Sequence, residues 1–550
     1  MLRAWCFTGL AAVTFGLSFP LSDQFVLGWP LAFAWPALLA LAARSAPRAR
    51  DLAWMMLVAF FPVFLLNQWW MQHITQLGMP FLALYLAAWM AVLALLIRRL
   101  SGSVKTPRWP ALLTLPVAVV SVEVLRGDLV CSGYAWFFAA HPLAEWTAVA
   151  QVAALGGTWL LSALVAAVSG GVLDLCVGRG ALRVVSPVVA VALLLASAIW
   201  GTWRVADSDA ASAAHTERAN ILIVQTNIPM SNKFRSTREE QEEEFLEICR
   251  QTIEGAKLAA LAGTPIDLVL WPETTLPGHG LDADTVELLV REHLYPGDRY
   301  LEALRDLSTR VHAPLLIGSP ATAGLRVVDQ HFEWSARFNS AYLVGGDGVV
   351  GRTDKVYLTP FGEVMPIISN WDWLEERLLA FGADGMSFDL KAASEARQFS
   401  IELSRGQGAT LEVAVPICFE ITMPWAARRI AFPEGARRAG VLMNLSNDGW
   451  FGPSGSGRRQ YLQVSQLRAI ELDTPVLRSA NTGMSASIDR VGRIVAKLDV
   501  DKAEALLAAP VAGAGVPMSI RLGDSVAWGA LALAVLGSFL PRLGRGSNAR

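Results

Sequence analysis

Long apolar stretches crowd the first two hundred residues and then stop. Runs over about 3–20, 24–43, 52–70, 78–98, 110–126, 148–177 and 182–203, with an isolated one at about 524–540, read as candidate membrane spans. A helix needs about 20 apolar residues to cross a bilayer core. The first run leads at once into the second with no clear small-residue cleavage site, so it is expected to stay as an anchor and not to be removed as a signal peptide. The polar positions between the runs carry orientation. With a cytoplasmic N-terminus, the cytoplasmic loops hold Arg44, Arg48 and Arg50, then Arg98, Arg99, Lys105 and Arg108, then Arg179 and Arg183. Arg542, Arg545 and Arg550 follow the last span, while the opposite loops Ser22–Gln24 and Met71–Gly78 contain no Lys or Arg. This is the positive-inside alternation. Seven spans would deliver the chain from about residue 206 to the extracytoplasmic side, and an eighth would bring the tail back.

From Ala206 to about Ser519 the pattern changes to short apolar runs between amphipathic ones. Ala206–Asn220 reads as a small-residue polar linker. Asn220–Ile228, Asp267–Trp271, Pro314–Gly318, Ser340–Gly345, Glu412–Ile417 and Val441–Leu445 read as buried strands, with helical patterns between them. Thr237 with Glu240 forms a capping-box signature, and Phe245, Cys249, Ile253 and Ala256 then recur at helical spacing. The acidic run Glu239–Glu244 is the solvated start of that helix, where negative charge favours the dipole. Gly278–Asp298 is loop-like, a candidate insertion over a site. The expected organisation is a transmembrane bundle over 1–205, an extracytoplasmic α/β domain over 206–520, and a final span with its tail over 521–550.

Composition narrows the class. A chain of 550 residues that is 53% hydrophobic and 17% charged fits a membrane protein with a water-exposed domain. A net charge of −2 excludes nucleic acid as a bulk partner. Five cysteines without a CxxC pair, and seven scattered histidines without HExxH, provide neither a disulfide framework nor a metal site. No metal and no cofactor is expected.

Three segments carry candidate chemistry. Cys418 follows the strand Glu412–Ile417, at a strand end where α/β domains place ligands. A lone thiol is ordinarily a small buried hydrophobe, but two further segments change its meaning. Glu273, in Trp271-Pro272-Glu273, also ends a strand, and a carboxylate there could take a thiol proton and return it to a leaving group. Lys355 precedes Leu358-Thr359-Pro360-Phe361-Gly362-Glu363, and an ammonium beside an attacked carbonyl would stabilise the oxyanion. Spacing alone does not bring the three together. No G-x-S-x-G elbow occurs, so a serine hydrolase is excluded.

The wording around these residues, WPE, then K-x-Y-L-x-P-F-G-E, then P-I-C-F-E, then N-x-S-N-D-G-W-F-G, resembles the nitrilase superfamily. With the flanking spans, and with Glu123–Gly127, Arg468–Glu471 and Asn481–Gly483, essentially the whole chain resembles the apolipoprotein N-acyltransferase family. That resemblance implies a nitrilase-like four-layer α-β-β-α sandwich joined to seven N-terminal and one C-terminal transmembrane helices. It implies Glu273 as general base, Lys355 as oxyanion stabiliser and Cys418 as nucleophile. Glu363 would hold the lysine, and Glu420 would support the site. Phe419 stands where the family often has Tyr, Phe234 where it has Trp, Thr226 where it has Gly and Tyr461 where it has His. Asn447, Asp448, Trp450 and Phe451 resemble the loop bordering the pocket. The implied reaction is ping-pong: an acyl chain moves from a membrane phospholipid, through a Cys thioester, to a diacylglyceryl-modified apolipoprotein. The implied place is the bacterial inner membrane, with both termini cytoplasmic and the catalytic domain periplasmic. A monomer is expected, since no GxxxG pattern stands out in the spans. Trp371 and Trp373 are candidate lipid-facing residues, and Glu123 with Arg126 a paired helix end. An anchored amidase passing the acyl group to water, and an inactive scaffold, are the competing readings.

Overall fold

The computed structural model describes residues 1–22, 28–76, 78–103, 106–107, 109–215, 218–228, 237–329, 331–360, 362–364, 390–404 and 408–539. Phe234, Trp371, Trp373 and the three C-terminal arginines lie outside the described residues. The chain forms two compact units: one of Met1–Ala206, Pro453–Gln463 and Pro517–Arg550, the other of Asp207–Gly452 and Val464–Val516. The short segment Pro453–Gln463 thus groups with the helical unit, a division that the hydrophobic pattern does not reveal.

The helical unit contains α1 (Leu2–Ser18), α2 (Trp35–Ser45), α3 (Ala49–Asn67), α4 (Gly78–Ser101), α5 (Ala111–Val124), α6 (Ala153–Val177) and α7 (Leu182–Ala214), with the late helix Ser525–Phe539. Among the described residues, α3, α4, α6 and α7 are long and apolar enough to cross a membrane, while α1 and the late helix are shorter apolar helices. The second apolar run is divided: a 3-10 turn over Trp29–Phe33 precedes α2, and prolines stand in the first positions of both. Proline lacks an N–H and fixes φ, so it opens a helix readily and interrupts a longer one. α5 and α6 approach closely. A Cβ at Gly170 would stand 2.3 Å from the Ala111 carbonyl oxygen, so only glycine fits. Asp174 of α6 then accepts from the N–H groups of Ala111 (2.9 Å) and Leu112 (3.1 Å), two of the donors that a helix start leaves unpaired. The linker expected from Ala206 does not begin there: α7 stays helical to Ala214. Alanine-rich sequence without Gly or Pro extends an existing helix at little cost.

The second unit is built on two six-stranded sheets. The first joins β1 (Ile221–Gln225), β2 (Leu268–Leu270), β3 (Leu315–Ala323), β4 (Ala336–Gly345) and β5 (Gly348–Asp354), with the last strand of the unit (Glu504–Ala508) against β1. The second contains β6 (Phe399–Glu402), β7 (Thr410–Ala414), β8 (Val441–Ser446), β9 (Val476–Ala480), β10 (Ala486–Ile488) and β11 (Ile494–Lys497), in that order. β1–β2–β3 and β7–β8–β9 are parallel triplets, and the remaining pairings are antiparallel.

The sheets meet face to face through one apolar core. Ile221, Ile223, Leu268, Leu270 and Leu343 of the first sheet pack with Val413, Val441, Met443, Leu445 and Leu477 of the second. The alternate residues Leu222, Val224, Val269 and Trp271 face the other way, onto the helices α8 (Arg238–Leu261) and α10 (Arg299–Val311), between which α9 (Ala283–Arg291) falls in the chain. Strands buried on both faces read as continuous apolar runs, which explains the sequence signal of ILIV and LVL. On the second sheet, the parallel steps β7→β8 and β8→β9 run through α11 (Pro424–Ala431) and α12 (Gly455–Leu472). With its inner face filled by the first sheet, these crossovers cover its outer face. Thr237 caps α8 reciprocally: its hydroxyl accepts from Glu240 N at 3.2 Å, and the Glu240 carboxylate accepts from Thr237 N at 2.7 Å.

Candidate active site

Parallel strands carry their ligands beyond their C-terminal ends. Glu273 lies three residues past β2, and Lys355 directly follows β5, which points the same way after two antiparallel turns. Cys418 lies beyond β7, where Ile417 bridges to Leu445, and Asn447 follows β8. The topology therefore gathers the proposed chemical residues at one end of the paired sheets.

Glu273 is buried, with both carboxylate oxygens occupied. Asn339 Nδ2 donates to Oε1 at 2.7 Å, and the backbone N–H of Asn447 donates to Oε2 at 2.9 Å. The Cys418 thiol also hydrogen-bonds this carboxylate. Cys418 has φ of +47°, a left-handed conformation that costs a non-glycine residue of order 1 kcal/mol and clusters at functional positions. Burial pushes the thiol well above its ordinary pKa; Glu273 and Glu363 add to the rise, and the Lys355 ammonium opposes it. The resting site therefore holds a neutral thiol poised against a carboxylate acceptor.

Lys355 is 1% exposed, and its Nζ lies 2.7 Å from Glu363 Oε2 and 3.3 Å from Thr359 Oγ1. Burial alone would lower its pKa, but Glu363, with Cys418, Glu273 and Glu420, outweighs burial and holds the ammonium above its usual range. Burial likewise raises Glu363, yet Lys355, the Thr359 N–H (2.8 Å) and Asn339 (3.1 Å) hold it below the ordinary carboxylate value. Asn339 Nδ2 therefore ties Glu273 to Glu363. Glu420 braces the backbone: it accepts from Ile417 N (2.7 Å), Val356 N (2.8 Å) and Tyr357 N (2.9 Å), joining the segments after Lys355 and before Cys418. Burial pushes its pKa up to about 7 against the pull of Lys355 and these N–H groups.

The loop after β8 forms a 3-10 turn over Asp448–Phe451 capped by the Asn447 side chain. Asn481 donates to Asn447 Oδ1 at 3.1 Å, and its own oxygen receives the Thr226 hydroxyl at 2.7 Å. Thr226, one of the departures from the family wording, is thus an anchor of this loop. Phe419 is buried beside the nucleophile, Phe451 is buried and Trp450 is half-buried. Tyr461 falls in the segment that groups with the helical unit, ring to ring with Trp136 at 5.8 Å. Glu123 and Arg126 belong to that unit too: Glu123 accepts from Ala139 N at 2.6 Å, and Arg126 donates to the carbonyls of Tyr134, Trp136 and Phe137. Both are occupied in holding one loop rather than chiefly each other.

Three residues escaped sequence reading: Asn339, Ser446 and Arg478. Arg478 forms a buried ion pair with Asp448, both side chains being 1% exposed. A charged or amide residue inside an otherwise apolar strand, as in VLRSA and RFNSAYL, was the available signal, because such groups are buried only when partnered.

The family model described as carbon-nitrogen hydrolase matches residues 221–514, the stretch that forms these two sheets, which places this unit in that class. The model described as apolipoprotein N-acyltransferase N-terminal domain matches residues 11–171. The apolipoprotein N-acyltransferase of Bradyrhizobium diazoefficiens is 30% identical over 480 residues, 83% of this chain and 78% of that protein. That of Geobacter metallireducens is 27% identical over 96% of this chain and 94% of its own length. The chain belongs to the apolipoprotein N-acyltransferase family.

Proposed function

We propose that the protein transfers an acyl chain from a membrane phospholipid, through a thioester on Cys418, to the α-amino group of the diacylglyceryl-cysteine of apolipoproteins. The observation that carries this reading is the thiol of Cys418 hydrogen-bonded to Glu273 while a buried, charged Lys355 acts on the same sulfur. In the first half-reaction Glu273 takes the thiol proton, and the thiolate attacks an ester carbonyl of the phospholipid. Lys355 stabilises the oxyanion, and the proton returns to the departing lysophospholipid. In the second half, the acceptor amine attacks the thioester, Glu273 takes the amine proton, and the restored thiol leaves. Glu363 and Asn339 hold Lys355 and Glu273 in register. Phe419, Trp450 and Phe451 border the pocket and help keep water from the thioester.

Membrane anchoring supports the choice of substrates. Two lipid-borne substrates meet an anchored enzyme in two dimensions, whereas soluble hydrolysis of polar molecules gains nothing from spans. The topology proposed is seven N-terminal spans and one C-terminal span in the bacterial inner membrane, with both termini cytoplasmic, the domain from about 206 to 520 periplasmic, and a monomeric chain. Detergent-purified protein given a phospholipid and a diacylglyceryl peptide with a free N-terminus should yield N-acyl peptide. Release of free fatty acid alone would establish an anchored hydrolase instead.

A further inference from the structure

Behind the nucleophile lies a buried polar cluster that the steps above leave unused. Arg478 of β9 pairs with Asp448, donates to Asn444 Oδ1 at 2.6 Å and reaches Ser446 Oγ at 3.3 Å. Asn444 in turn donates to the carbonyls of Pro416 (2.9 Å) and Cys418 (3.3 Å), so the cluster grips the backbone on both sides of the strained nucleophile. Ser446 is fully buried at the end of β8. Its hydroxyl lies 3.0 Å from Asp448 Oδ1 and 4.0 Å from Cys418 Sγ. A hydroxyl has one proton, and at these distances the charged carboxylate holds it while the sulfur is a neutral thiol.

We infer that Ser446 is a switching donor for the nucleophile: when the Cys418 proton passes to Glu273, the Ser446 hydroxyl turns from Asp448 to the thiolate. The balance closes without a further reactant. One proton moves from Sγ to the Glu273 carboxylate, the Ser446 O–H rotates without breaking, and Asp448 keeps Arg478 as donor. The thiolate then has the Ser446 hydroxyl as a donor from the second sheet, beside the positive charge of Lys355 from the first. This offsets the burial and the facing carboxylates of Glu273 and Glu363 that hold the thiol neutral at rest. Because the Arg478–Asp448 pair is fully enclosed, it holds the serine in position.

The inference rests on Cys418 being the nucleophile, and its test does not depend on acyl transfer. The rate of iodoacetamide alkylation is followed at the Cys418 peptide by mass, against pH, in the full-length protein in detergent. Ser446→Ala should move the midpoint upward by about one pH unit, a tenfold slower reaction below the midpoint, because a hydrogen bond to an ionised group disappears. Ser446→Thr should keep the wild-type midpoint and Ser446→Val, of the same shape, should not. The Thr/Val pair decides the matter even where the Ala variant folds poorly. Equal midpoints for Thr and Val overturn the inference, whereas a parallel loss of melting temperature with no shift of midpoint would make Ser446 structural only. A wild-type Cys418 that alkylates with a normal profile yet accepts no acyl group would count against the proposed function and leave this result standing.

Discussion

Replacing Glu363 with Gln tests whether the site lysine is held by charge or by shape. The wild-type carboxylate serves three donors: Lys355 at 2.7 Å, the Thr359 N–H, and Asn339, which is shared with Glu273. Glutamine preserves the outline but presents an NH2 to one of these donors. If its oxygen keeps Lys355 and Thr359, the NH2 faces Asn339, which can turn its oxygen toward it only by withdrawing a donor from Glu273. Removing one partner of a buried pair costs about 3–5 kcal/mol, because the other charge is left without compensation. The retained hydrogen bonds place Glu363→Gln near the lower figure, about 3 kcal/mol. At roughly 2–4 °C per kcal/mol for a domain of this size, thermal unfolding in detergent should drop by about 6–12 °C. The pH dependence carries the same signature. Glu363 is held below its ordinary pKa, so its contribution is present above about pH 4.5 and fades as pH falls through the lower folded value. Lys355 is held above its ordinary pKa, so its contribution is complete below about pH 10.5 and fades only above that. Stability due to the pair should therefore plateau between about pH 5 and 10 in the wild type, and the acid limb should flatten in Glu363→Gln. A loss under about 1 kcal/mol with an unchanged acid limb would refute the buried-pair reasoning, since only solvent-screened pairs are that weak.

Other expectations follow from the same structure. Glu420→Gln should cost about 1–3 kcal/mol in chemical unfolding, since its NH2 must face one of three backbone N–H donors. Because the Glu420 pKa is raised to about 7, its contribution is fullest below about pH 4.5 and declines as pH rises through 7, and the variant should lack that decline. Asp174→Ala, which strips the start of α5 of its cap, should lower thermal stability by about 1–2 kcal/mol with thioester formation per folded molecule unchanged. Thr226→Gly should loosen Asn481 and the Asn447 loop, slowing acyl transfer more than it lowers melting temperature.

What the sequence disclosed and what it hid follow a physical division. The strands β1, β2 and β8 and the capped start of α8 were legible because period, apolar continuity and a two-residue capping pattern are local properties. The β4–β5 hairpin is not read from the pattern although Gly346-Asp347 forms its two-residue turn, a favoured hairpin pair. Its strand Gly348–Asp354 alternates too weakly to read alone. The extension of α7 to Ala214 is hidden because the small and polar residues of Ala206–Ala214 lack the apolar period of a packed helix, while their alanines continue a helix already begun. The proposed triad was found through motif wording and not through spacing, since Glu273, Lys355 and Cys418 come from two sheets whose packing no local pattern encodes. Asn339, Ser446 and Arg478 have meaning only once partners far along the chain are placed beside them.

Acyl transfer through Cys418 requires a covalent acyl group on its sulfur. Intact-mass measurement of the purified protein after incubation with a phospholipid of one defined acyl chain, beside Cys418→Ala and Cys418→Ser, tests it directly. The wild type should gain the mass of that acyl chain and lose it on addition of the diacylglyceryl peptide as amide forms, and neither variant should form a thioester. A folded wild-type protein that gains no acyl mass, or a Cys418→Ala protein that gains the same mass, would contradict it.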